Sequence, residues 1–162
     1  MPSEASSIIV IGIGNPDRGD DAAGREVARR LCETIREGVQ IVEIDGEATT
    51  LLAHLEGAHA AFMIDACVSG ATPGAILRLD ASETQIPRAR FGLSSHGVGL
   101  AEALELARAL GQMPPQCIVY AIEAENFEIG APLSSAVARS VDQVVAGLGA
   151  EIAALRRKLI TG

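Results

Sequence analysis

Aromatic residues are nearly missing from this chain of 162 residues, which has no Trp, one Tyr and three Phe. Its core must therefore be assembled from Ala, Val, Leu and Ile, as in parallel sheets buried on both faces beneath small-residue helices. Cysteine is sparse too. Cys32, Cys67 and Cys117 are odd in number and far apart, which excludes a disulfide framework or a CxxC metal knuckle and suits a reducing cytoplasm. Basic residues are outnumbered, 13 against 21 acidic ones, for a net charge of -8. Such a chain lacks the basic face that holds nucleic acid or anionic lipid without specificity, so neither is an expected partner. No apolar run is long enough to cross a membrane, and the opening MPSEASS has an acid where a secretory leader has positive charge. The expectation is a cytoplasmic protein without a leader. Repeats, low-complexity tracts and interior linkers are also missing, so residues 1–162 read as one domain.

What is present is organised around Ile8 to Gly24, an apolar run that breaks into a glycine-bearing loop and delivers Asp20 and Asp21 before a helical pattern. The helix is expected over Asp21–Arg36, with Val27, Ala28, Leu31 and Ile35 on its apolar side. A short strand over Val39–Ile44 closes at Asp45-Gly46, and Thr49–Leu55 gives one or two helical turns. Ala60–Ala66 is a continuous apolar run ending in Asp65, the profile of a central strand. Ala75–Leu79 is the next strand, and Asp80–Leu93 a mobile loop containing Pro87. A helix over Val98–Leu110 follows Ser94, Ser95 and His96. Gln116–Ala124 is the last strand, and Leu133 to Leu159 a long helix that Ser134 and Ser135 can cap. Strands alternating with helices imply a single-domain, three-layer α/β sandwich: a mostly parallel twisted sheet of about five strands with helices on both faces. Sites in such sheets lie at the carboxyl ends of the strands, where Asp20-Asp21, Asp45 and Asp65 should converge.

Two phosphate-loop readings fail on the glycines. In a dinucleotide fingerprint the third glycine is misplaced, because Gly14 is followed by Asn15, Pro16, Asp17 and Arg18 before Gly19. Gly14 and Gly19 have P-loop spacing, but Asp20 and Asp21 stand where Lys and Ser/Thr belong and would repel phosphate. A cation site suits the residues better. Asp21, Asp65 and His96 are two oxygens and a nitrogen from three loops of one rim, a set for zinc, nickel, manganese or iron with positions left open. Blander roles stand beside this one. Asp20 or Asp21 can cap the first helix, Asp45 can serve its turn, and His54 and His59 read as surface or boundary residues. Cys67 invites a Cys-His nucleophile with His96, although a buried thiol is the commoner meaning. Asp65 is costly to bury at the end of AAFMID without a partner, and that favours a function for it.

The pattern G-x-G-N-x-x-x-G-D-D-x-x-G over Gly12–Gly24, with Ile64-Asp65-Ala66 and the later Ser94-Ser95-His96-Gly97-Val98-Gly99-Leu100, resembles the hydrogenase maturation proteases. These endopeptidases remove a C-terminal extension from the large subunit of nickel-iron hydrogenases. The resemblance runs from Ile8 into the C-terminal helix. It implies a five-stranded α/β sandwich and a metal-contacting triad falling on Asp21, Asp65 and His96, with Asp45 assisting. It also implies that nickel already inserted in the precursor is the recognition element, so that the metal arrives with the substrate. A monomer is expected. One departure concerns the last strand, where the family's Gly-Ile-x-Pro-Glu is replaced by Ala121-Ile122-Glu123-Ala124-Glu125. Two rival functions follow from the same residues: a chaperone that binds the nickel-bearing precursor without cutting it, and a related α/β peptidase with another substrate.

Overall fold

In the computed structural model, which describes residues 7–86 and 99–161, strand parity decides which helix covers which face. The parallel strands are β1 (Ile8–Ile13), β2 (Gln40–Ile44), β3 (Ala60–Cys67) and β5 (Gln116–Glu123). Strand β4 (Ile76–Asp80) runs antiparallel to β5 at one edge, giving the order β2-β1-β3-β5-β4. Because side chains alternate along a strand, Ile8, Val10, Phe62, Ile64, Ile118 and Ile122 turn to one face. There they pack against α1 (Ala23–Thr34) and the long α4 (Ser135–Thr161). Ile9, Ile11, Ile13, Met63, Cys67 and Val119 turn to the other, beneath α2 (Ala48–Leu55) and α3 (Leu100–Ala109). The expected architecture is thus the observed one. The near-absence of bulky aromatics is met as expected: among the described residues, Phe62 and Tyr120 are the aromatic members of a core that is otherwise mostly aliphatic.

The order β2-β1-β3 means that the chain moves outward from β1 to β2 and then returns past β1 to β3, so its first two crossovers run in opposite directions and make a topological switch between β1 and β3. Right-handed crossovers place α1 and α2 on opposite faces and open a crevice at the carboxyl ends of these two strands. Glycine makes the closeness possible. A Cβ on Gly24 would lie 2.2 Å from the Ile64 carbonyl oxygen, and one on Gly12 would lie 2.4 Å from the Gly24 oxygen, so α1 rides directly on the backbone of β1 and β3.

Element ends differ from expectation by a residue or two where local pairing outweighs pattern. Helix α1 starts at Ala23 because a 3-10 turn, Gly19–Ala22, takes up the preceding residues. Strand β3 extends to Cys67, aided by Ala124, whose N–H donates to the Cys67 carbonyl at 2.9 Å. A proline at 124 could not make that bond. The part of the expected mobile loop that is described packs instead: Ala81 and Ile86 are buried, and the Ala81 N–H donates to Cys117 O at 2.8 Å. On the outer edge, the Tyr120 hydroxyl donates to Glu151 of α4, which also pairs with Arg78 of β4.

Candidate active site

Loops at the carboxyl end of the sheet bring Asp21, Asp45 and Asp65 to one cleft, lined also by Ile13, Gly14, Gly46, Leu51 and Leu100. This is the expected convergence for three of the four acids. Asp65 follows Met63 in the parity of β3, so it shares the face covered by α2 and α3. Leu51 and Leu100 form the apolar walls there. It is 5% exposed, and Asp21 6%. Burial is the larger reason that the Asp65 carboxyl is held well above the usual carboxylate range. The negative charge of Asp21 adds to it, and a backbone hydrogen bond from Ala66 opposes both. Asp21 is oriented by the loop that carries it: the Asn15 N–H donates to its Oδ2 at 2.9 Å. Gly14, at φ +147, has no room for a side chain, since a Cβ would lie 1.8 Å from the Asp21 carbonyl oxygen. Asp45 serves its turn, as expected, and also lines the cleft. It is exposed on the rim and its Oδ1 accepts the Glu47 N–H at 3.1 Å, a local turn bond.

Asp20 does something else. It is 0% exposed, and its carboxylate crosses to the segment after β5. Oδ2 accepts the N–H groups of Glu125 and Asn126, each at 2.9 Å, and the Ser134 hydroxyl at 2.9 Å, while Oδ1 accepts the Ser134 N–H at 2.7 Å. The helix-capping reading of the acid pair is therefore corrected. Residue 22 precedes α1 with no side-chain cap bond, and the 3-10 turn has none either. The Ser134 hydroxyl likewise turns to Asp20. His96, with Ser94 and Ser95, lies outside the described residues; among those described, no three His, Cys, Asp or Glu side chains are grouped to hold a metal ion.

A fourth buried acid, Glu123, escaped sequence reasoning. Its signal was the same as that of Asp65, an acid closing an apolar strand. Glu123 accepts from the Ser69 N–H at 2.9 Å, the Ser69 hydroxyl at 2.7 Å, the Gly70 N–H at 3.0 Å and the Cys67 thiol at 3.3 Å. Burial alone would push its carboxyl up, but the Ser69 side chain and amide, the Cys67 thiol and the Gly70 amide outweigh it and hold the carboxyl below its ordinary value. Cys67 thus donates to a carboxylate, which supports the buried-thiol reading. A group with a lowered native pKa stabilises the fold above its unfolded pKa of about 4.3, and that stabilisation is lost as pH falls through the native value. Glu123→Gln should lower the melting temperature at pH 7 by roughly 2–6 °C. The gap to the native protein should narrow below about pH 4; a gap constant from pH 7 to pH 3 in thermal melts would contradict the assignment.

Comparison with known proteins agrees with the fold. A sequence profile of the family described as hydrogenase maturation protease matches residues 26–150, a span that takes in Asp65 and His96 and begins just after Asp21. The hydrogenase expression/formation protein HupD of Rhodobacter capsulatus is 27% identical over 150 residues, covering 90% of this chain and 71% of that protein. The solution structure of an endopeptidase from Escherichia coli has a TM-score of 0.77 at 26% identity, covering 94% of this chain and 93% of the other. The hydrogenase maturating endopeptidase HybD from E. coli shares the fold at a TM-score of 0.73 and 24% identity, with coverage of 94% and 93%. With a profile matching most of its length and a cleft of buried acids where the fold places its sites, this chain belongs to the hydrogenase maturation protease family.

Proposed function

We propose that this protein is a processing endopeptidase that removes the C-terminal extension of a nickel-iron hydrogenase large-subunit precursor once nickel is in place, acting as a monomer in the cytoplasm. One observation carries the reading: Asp21 and Asp65 approach one cleft from β1 and β3 in a chain of this family. The nickel belongs to the precursor and counts as substrate. The donor set suits it, since a buried acid whose charged form is disfavoured gains most when positive charge arrives. Asp21, Asp65 and His96 are the residues that would contact the ion, and Lewis-acid polarisation of a carbonyl or water is the chemistry it would supply there. The chain's own contribution is positional. Asn15 orients Asp21, Leu51 and Leu100 limit water around Asp65, and Asp45 stands at the entrance.

Incubation with the nickel-loaded precursor, followed by mass spectrometry, tests the reading. The native protein should shorten the precursor. His96→Ala should remain folded and slow that cleavage at least about a hundredfold. A stable complex whose components keep their masses would overturn the proposal in favour of a non-cleaving chaperone, and normal processing by His96→Ala would remove the histidine from the site.

A further inference from the structure

The segment joining β5 to α4 is held more firmly than a connector requires. Gly130 N–H donates to Asp17 O at 2.7 Å, and Asp20 N–H to Asn126 O at 2.8 Å. The Arg18 guanidinium lies over the Phe127 ring, 5.4 Å from its centroid, and its Nε donates to Phe127 O at 3.2 Å. Within the segment, Asn126 Oδ1 accepts the Glu128 N–H at 2.8 Å and Ala131 N–H donates to Glu128 O at 3.1 Å. Gly19, at φ +53, approaches so closely that a Cβ would lie 2.4 Å from Asn126 O. The Asp20 carboxylate adds its four bonds from below. All of this is attached to the loop that carries Asp21.

So fastened, the segment turns Ile129 into solvent, 82% exposed, with exposed acids at Glu125 and Glu128 beside it. A lone exposed isoleucine is ordinary. On a preordered loop at the rim a protein substrate must approach, it is a contact that requires no further ordering of the loop on binding. Resting on the reading that the substrate is the large-subunit precursor, we propose that residues 125–131 dock that precursor. Ile129 enters an apolar recess on it, and basic groups around the recess face Glu125 and Glu128.

Steady-state kinetics with Ile129→Ser test this. KM should rise about tenfold, the loss of one buried aliphatic side chain, while kcat changes less than twofold and the melting temperature stays in place. Ile129→Leu should restore most of the affinity. Ile160, 83% exposed near the far end of α4, is on the order of 40 Å along the helix from its start, and Ile160→Ser should leave KM alone. Added salt should weaken binding of the native protein, and Glu128→Gln should lessen that dependence. An unchanged KM for Ile129→Ser, or an equal rise for Ile160→Ser, would overturn the proposal. Direct binding of the precursor to the native protein and to Ile129→Ser, measured without cleavage, separates the two readings. If nothing is cut but Ile129→Ser still binds more weakly, only the protease assignment fails.

Discussion

Asp65→Asn is expected to yield a protein that is more stable than the native one and unable to process the precursor. The carboxyl is 5% exposed between the Asp21 charge and apolar walls, and its protonated form is favoured. A raised carboxyl pKa means that the native state holds a proton the unfolded chain releases near pH 3.9. Its contribution to stability is therefore present at low pH and is lost as pH rises through the native value. Asparagine keeps the shape and removes the titration. The gain should be on the order of 0.5–2 kcal/mol at neutral pH, roughly 2–6 °C in melting temperature, and should shrink toward pH 4. Cleavage should fall at least about a hundredfold. Melts of both proteins from pH 4 to 8, beside a precursor-processing assay, decide the matter. A variant less stable than the native protein would show that the site is not strained in this way, and one that still processes would remove Asp65 from the chemistry.

The largest loss of stability should come from the neighbouring acid. Asp20→Ala withdraws the acceptor from three backbone N–H groups and one hydroxyl, all drawn from the segment before α4. Bonds to a charged group are worth about 1.5–3 kcal/mol each, while removing a buried charge returns part of the total, so a net cost of about 3–5 kcal/mol is expected. For a chain of this length that is roughly 10 °C or more. Asp20→Asn should fall between, since one oxygen still accepts while the new amide meets donors. Ser134→Ala, which keeps its own N–H bond, should cost about 1 kcal/mol. Hydrogen exchange should show the amides of residues 125–134 losing protection before those of the sheet. Adjacent residues would then separate cleanly, Asp21→Ala harming activity and Asp20→Ala harming the fold; native-like melting of Asp20→Ala would refute that division.

How much of this was legible in the sequence depended on the range of the interaction. Strands β1, β3 and β5 announced themselves as unbroken apolar runs, and the helices by their periodicity, because burial on two faces or one face leaves a local imprint. The grouping of Asp21, Asp45 and Asp65 followed from topology, since acids after parallel strands share an edge. The role of Asp20 did not. Capping is the local use of an acid before a helix, whereas the bonds it makes span more than a hundred residues, and nothing near it in the chain marks Glu125, Asn126 or Ser134 as partners. Ser134 stands at the start of the last helix as expected, its carbonyl accepting the Ala138 N–H, but the partner of its hydroxyl was hidden for the same reason. Glu123 could have been found by treating the last strand as the central one was treated, because both end an apolar run with a carboxylate.

The scarcity of aromatic side chains gives the outer edge of the sheet an optical use. Tyr120 is the sole tyrosine in a chain without tryptophan, so ultraviolet fluorescence excited above the phenylalanine band reports one position. Its hydroxyl joins β5 to Glu151 of α4 beside Arg78 of β4. Burial first, then the bond to Glu151, pushes the phenol up to about 12. Phenolate absorbance appearing near pH 10 would consequently signal that Tyr120 has lost its burial and its bond to Glu151, giving a label-free reading of opening where the C-terminal helix meets the sheet.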